Sequence, residues 1–194
     1  ISLAIAFSIA GQSAFAEISA ADANTQISKK QGIEIINIAN PSAAGLSHNR
    51  YDKFNVDKSG AVLNNARQNG KSQLAGDLNA NPNLKTQSAK VILNEVVSRN
   101  PSKIAGQQEI FGDKADYVLA NPNGISVEGG GFINTPRASL VVGKPQVAEG
   151  KLKGYDATGD KALSTNGKIT SSGDIDLIAP QVTVGGQTTT SEGV

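Results

Sequence analysis

The chain has 194 residues, a net charge of +1, one histidine and no cysteine, methionine or tryptophan. The missing cysteines exclude a disulfide scaffold, a Cys-ligated zinc site, an iron–sulfur cluster and a cysteine nucleophile, and the lone His48 excludes a multi-histidine metal site. The near-neutral charge gives no electrostatic footprint for nucleic acid.

Residues 1–16 read ISLAIAFSIAGQSAFA and carry no charge. The apolar run Leu3 to Ala10 followed by Ala14-Phe15-Ala16 has the pattern of a partial secretory signal peptide with its cleavage site. The run is too short for a membrane span, which takes about 20 residues. The alternative is a buried N-terminal helix. Cleavage places the mature start near Glu17, and residues 17–194 form the folded domain. An exported chain without cysteines suits passage through a narrow pore, which a disulfide loop would obstruct.

Beyond residue 16 the core must come from Ile, Val, Leu and Ala, because aromatics make up only 4% of the chain. Residues 17–40 are expected to form an N-terminal cap. Ile33 to Ile38 alternate as a strand with one buried and one wet face. Four of the seven prolines follow asparagine, at Asn40-Pro41, Asn81-Pro82, Asn100-Pro101 and Asn121-Pro122. Chance predicts fewer than one such pair. The spacings of 41, 19 and 21 fit a period near twenty with one missed turn, and Pro180 lies 58 residues after Pro122. Asn-Pro favours a turn, since proline fixes φ and pushes the residue before it to an extended conformation. A turn every twenty residues is the mark of a solenoid. Val91 to Val97 (VILNEVV) reads as a β-branched strand, with a helical turn as the alternative. Asp116 to Leu119 leads into the fourth turn. Ile175 and Leu177 point inward and Asp174 and Asp176 outward, with Val182 and Val184 resuming the pattern. Long helices are disfavoured by the abundance of Gly and Asn. The predicted fold class is all-β, a parallel β-helix of about twenty residues per coil. Thr188 to Val194 show no cap signal, so the natural chain is expected to continue.

The motifs Asn81-Pro82-Asn83-Leu84 and Asn121-Pro122-Asn123-Gly124-Ile125 resemble the paired N-P-N-L and N-P-N-G-I motifs of the two-partner secretion (TPS) domain. That domain opens the filamentous haemagglutinin, haemolysin and contact-dependent growth-inhibition exoproteins of Gram-negative bacteria. Ser47 to Tyr51, Phe54-Asn55-Val56, Gly60 to Asn65 and Gly131-Phe132-Ile133-Asn134-Thr135 support the resemblance in the family's order. Many haemolysin-like members carry two cysteines where Val127 and Gly130 stand here, so the chain resembles the cysteine-free subgroup. The resemblance implies a right-handed parallel β-helix with an N-terminal cap and short extra-helical strands. It implies a secretion signal read by the periplasmic POTRA domains of an Omp85-type β-barrel transporter in the outer membrane. It also implies that the domain nucleates β-helix folding at the cell surface as the N-terminal part of a larger adhesin, haemolysin or toxin. Secretion through the periplasm, a monomer, and neither a cofactor nor an enzymatic role are expected.

The nine motif residues, Asn81, Pro82, Asn83, Leu84, Asn121, Pro122, Asn123, Gly124 and Ile125, have two compatible readings. Proline and the asparagine amides shape turns, with Gly124 at positive φ. Alternatively the transporter reads them in the extended chain. Other readings of the chain are a β-helical carbohydrate-active enzyme, which needs paired carboxylates on adjacent coils, and a direct glycan-binding adhesin. The carboxylates are scattered, and Tyr51, Tyr117 and Tyr155 offer few aromatics for sugars. His48 has no nucleophile motif beside it and reads as a turn or surface residue. Asp174 with Asp176, and Asp156 with Asp160, lack the further oxygen ligands that calcium requires.

The facing of the last strand is testable. Ile175→Asp should destabilise the chain by about 1.5–3 kcal/mol from lost burial alone, with an added penalty for the carboxylate. Asp174→Ala should leave the thermal midpoint nearly unchanged.

Overall fold

The structure, a computed structural model, describes residues 17–190; the expected signal segment lies outside them. Every regular element among the described residues is a strand, including Val91–Val96, so the helical turn considered there does not form. Three parallel ladders wind around one core. The first contains Leu46–Phe54, Val91–Val96, Asp116–Ala120, Arg137–Val141 and Asp174–Ile178. The second contains Ile33–Asn37, Ala61–Asn65, Gln107–Gly112, Gly130–Ile133, Ile169–Ser171 and Thr188–Thr190. The third contains Ser102–Ile104, Ile125–Val127, Ala162–Thr165 and Gln181–Val184, with Val56 bridging to Ile104. The chain visits the second, first and third ladders in turn, then returns one strand spacing further along. This is a parallel β-helix.

Uninterrupted coils have the expected length: Gln108 and Phe132 are register partners 24 residues apart, and Ser171 and Thr190 are 19 apart. Two coils are longer, with Ala61 to Gln108 taking 47 residues and Phe132 to Ser171 taking 39. Each contains an antiparallel hairpin that leaves the helix, Gly70–Ser72 with Gly76–Leu78 and Lys144–Ala148 with Lys151–Asp156. This changes the phase read from the Asn-Pro pairs. Asn40 and Asn81 occupy the same corner, between the second and first ladders, one enlarged coil apart. Asn100 and Asn121 occupy the next corner, between the first and third. No turn is missed between Asn40 and Asn81, and the 19-residue step from Asn81 to Asn100 passes from one corner to the other within a coil.

Residues 17–40 do cap the helix. Ile18–Ala20 pairs antiparallel with Leu46–Phe54, and Gln26–Lys30 pairs antiparallel with Ile33–Asn37 through a Gln31-Gly32 turn, both at positive φ. These strands close the N-terminal edges of two ladders. Lys29 and Lys30 stand on the outermost strand, where charge discourages further pairing. At the third ladder Asn55 and Val56 seal the edge: Lys103 N–H donates to Asn55 Oδ1 (2.9 Å) and Ala105 N–H to the Val56 carbonyl (2.8 Å).

Side chains inside the helix stack in columns, because parallel in-register strands place equivalent residues above one another. In the first ladder Ser47, Ile92, Tyr117, Ala138 and Ile175 form one inward column and Asn49, Asn94, Leu119, Leu140 and Leu177 the next. Both begin polar and become aliphatic. The polar start is satisfied internally: Asn49 Oδ1 accepts from Thr25 Oγ1 (2.9 Å) and Ala39 N–H (2.8 Å), and Asn94 Oδ1 accepts from the Tyr51 hydroxyl (3.0 Å). Burial pushes the Tyr51 and Tyr117 phenols far up, so both are neutral donors at any physiological pH. The Tyr117 hydroxyl donates to Gln108 Oε1.

The outer faces depart from the expected wet side. The first hairpin covers the outside of the second ladder, where Ile35, Val62, Ala66, Ala75 and Phe111 are buried with Ile33, Leu74 and Leu78 against them. The second hairpin covers the first ladder over Leu46, Leu93, Val118 and Val141, contributing Leu152 and Tyr155. Two ladders therefore have apolar residues on both faces, which is why VILNEVV and IEII run as continuous aliphatic stretches rather than alternating. The third ladder keeps a polar exterior of Lys103, Ser126, Ser164 and Thr183.

Glu109, 3% exposed, fastens the first hairpin. Its carboxylate accepts from Ser72 Oγ (2.7 Å), Gln73 N–H (2.9 Å) and Leu74 N–H (2.9 Å). Glu109→Gln should place an amide donor against these donors and cost about 2–3 kcal/mol, read as a lower urea midpoint.

Candidate functional site

The two Asn-Pro-Asn motifs build the same local object at different corners. Asn81 is 3% exposed and Asn121 fully buried. In each motif the first asparagine's Oδ1 accepts the backbone N–H two residues on, from Asn83 and from Asn123, both at 2.9 Å. Its carbonyl accepts from the residue after that, Leu84 N–H or Gly124 N–H, both at 3.3 Å. An Asx-turn thus sits inside a β-turn, with proline presetting the φ of its second residue. Gly124 has φ +108°, a conformation that L side chains rarely adopt, and it lets Ile125 enter the third ladder and the core.

The amide nitrogens do a second task, since they donate to backbone carbonyls of earlier chain. Asn81 Nδ2 reaches the Ile38 and Asn64 carbonyls (3.0 and 2.8 Å). Asn121 Nδ2 reaches the Asn100 carbonyl and Ser102 Oγ (both 2.9 Å), and Asn123 Nδ2 the Ser98 carbonyl (2.9 Å). Asn83 Nδ2 lies within bonding distance of Gln26 Oε1 (2.6 Å) and the Ile38 carbonyl (3.1 Å). Corner carbonyls have no ladder partner, and a buried one left unpaired is costly. Asn134 treats the Ile110 and Gly112 carbonyls the same way.

The motifs' partners lie at separate corners, so the fold gives each its own surroundings. Pro82 is exposed, Pro122 and Leu84 are half-buried, and Leu84 packs on the core. The first motif borders an open groove of about 550 Å³ beside Asn24, Asn40, His48, Asn83 and Lys85.

The remaining candidates are structural. His48 is on a strand rather than in a turn, half-buried, with Nε2 2.7 Å from Glu95 Oε2. Asp174 and Asp176 face outward as expected, and both hold Arg137, at 3.3 and 3.0 Å. Asp156 Oδ1 accepts from the Thr158 hydroxyl and N–H, which holds its carboxyl below the usual range. Among the described residues no group of three or more His, Cys, Asp or Glu could hold a metal ion, and no helix is long and apolar enough to cross a membrane.

The sequence matches the family model described as TPS secretion domain over residues 16–194. The chain belongs to the TPS secretion domain family. It is 58% identical to a hemolysin of Serratia marcescens over 152 residues, 78% of this chain and 10% of that protein. It is 42% identical to toxin CdiA of Yersinia pestis over 182 residues, 91% of this chain and 6% of that one. The crystal structure of a filamentous hemagglutinin secretion domain superposes with a TM-score of 0.84 at 34% identity, covering 91% of this chain and 59% of that one. This TPS domain spans a tenth or less of the length of these curated relatives.

The TPS sequence alone identifies the motif asparagines but not what they hold. Ser98, Asn64 and Ile38 contribute main-chain carbonyls, which leave no side-chain signal. Asn40 and Asn100 read only as turn formers, yet Asn40 Oδ1 accepts from Lys85 N–H (2.9 Å) and Asn100 is the landing point for Asn121.

Asn121→Asp keeps the acceptor for Asn123 N–H but turns the donor into a buried anion facing the Asn100 carbonyl. We expect a loss of about 3 kcal/mol or more, seen as a drop in thermal midpoint of the purified chain.

Proposed function

We propose that this TPS domain is the export signal of a larger exoprotein. It is recognised in the periplasm by the POTRA domains of an Omp85-type outer-membrane transporter, and it nucleates β-helix folding at the cell surface. The observation that carries this is how the motif amides are used. Asn81 and Asn121 are buried, and both ends of each side chain are bonded within the fold. A partner reading those amides must therefore meet the chain before it folds. The same residues first present a recognisable extended segment and later close two corners. The domain has no catalytic task in this scheme; haemolysis, adhesion or contact-dependent toxicity belongs to the rest of the exoprotein. The mature product is secreted or displayed at the surface.

Folding outside supplies direction. The outer membrane has neither ATP nor an ion gradient of its own, and coils add one at a time. At roughly 0.05–0.15 kcal/mol per residue, a twenty-residue coil stabilises by about 1–3 kcal/mol. This is a factor of roughly 5 to 150 against backsliding per coil.

The test separates reading from folding. Asn83→Ala and Asn123→Ala should each lower secretion from cells by more than their loss of stability, measured on the refolded purified chain, accounts for. Secretion that simply tracks stability would reduce the motifs to turn formers.

A further inference from the structure

The second hairpin runs across the coils instead of along them. It leaves the helix after Arg137–Val141, in the fourth coil, and its two ends meet at Gly143 and Ala157. Its tip is a two-residue turn, Glu149-Gly150, with φ of 53° and 68°. Such a turn matches the twist of the flanking strands. The tip rests on the first coil, where Ser42 Oγ donates to the Gly150 carbonyl at 2.7 Å across 108 residues of sequence. Between base and tip, Leu152 and Tyr155 cover Leu46, Leu93, Val118 and Val141, one residue from each of four successive coils.

The dimensions agree. Three coil-to-coil steps of about 4.8 Å span roughly 14 Å, and a hairpin arm of six residues reaches about 20 Å. The arm is long enough to cross four coils and latch at the first. Nothing in nearest-neighbour stacking requires such an element, because in a solenoid each repeat touches only the next.

We infer that hairpin 144–156 is a latch that closes only on a completed four-coil stack and thereafter prevents the first coil from opening independently. The surface it needs is absent until Leu46, Leu93, Val118 and Val141 are aligned. Once seated, it ties residue 42 to residue 150, so the first coil is lost only together with the fourth. The device makes a serially built structure open as a single unit over its first four coils. It rests on the fold and holds whether or not a transporter reads the motifs.

Native-state hydrogen exchange on the 194-residue chain tests this. In the unaltered protein, amides of Leu46–Phe54 and of Asp116–Ala120 should exchange with matched protection. In Leu152→Asn the first set should exchange at least tenfold faster than the second. In Val127→Ala, which loosens the core away from the hairpin, the two sets should remain matched. Matched protection in Leu152→Asn would overturn the latch. If that variant does not fold, the double variant Ser42→Cys/Gly150→Cys decides, in a chain with no other cysteine. The would-be Cβ of Gly150 lies 2.9 Å from Ser42 Cβ, so the exposed turn must shift by under about an ångström to reach disulfide geometry. The oxidised form should unfold in urea at least tenfold more slowly than the same variant reduced. Equal unfolding rates would show that the latch is not part of the opening step.

Discussion

A β-helix must dispose of the peptide groups at its corners. Along each ladder, strands satisfy one another, but where the chain swings from one sheet to the next its carbonyls point at neighbouring coils with no ladder partner. This domain answers with asparagine amides. Asn81, Asn121, Asn123 and Asn134 donate to carbonyls of chain laid down before them. Inside the helix Asn49, Asn65 and Asn94 also reach across coils, donating to Leu93, Asp113 and Val118 carbonyls. A primary amide suits the task because it donates and accepts at once and carries no charge to desolvate.

With the corners settled, the faces can be understood. The inner columns supply aliphatic burial, and the two hairpins extend it by covering outer faces that would otherwise leave Ile35, Val62, Leu93 and Val118 in water. Each hairpin is also held by a polar fixture: the Glu109 carboxylate for one, the Ser42 hydroxyl for the other. Apolar area gives these elements stability, and a few hydrogen bonds set their position.

Most of the architecture was legible from residues. The Asn-Pro pairs announced corners, and the alternation of Ile175 and Leu177 with Asp174 and Asp176 gave the correct facing. The pair spacing misled on phase, because a hairpin inserted in one coil makes 41 residues look like two periods. Outer-face burial was hidden for a related reason. A strand covered on both sides loses its alternation, and neither hairpin carries a sequence mark naming the face it will cover. Glu109 could not be found from sequence, since a carboxylate that accepts from a remote turn looks like any surface acid. The motif residues were legible as turns, while their carbonyl partners were not, because backbone groups look alike in every sequence.

The way the hairpins are inserted has an evolutionary consequence. Both begin and end at a corner, and the ladders on either side keep their register, as Ala61 with Gln108 and Phe132 with Ser171 illustrate. Lengthening a loop costs little entropy, growing only with the logarithm of its size. A corner of this helix can therefore gain or lose a whole supersecondary unit without moving a single core column. Length variation among proteins of this architecture should concentrate at such corners. The stacked columns then act as a fixed ruler against which surface elaborations are exchanged.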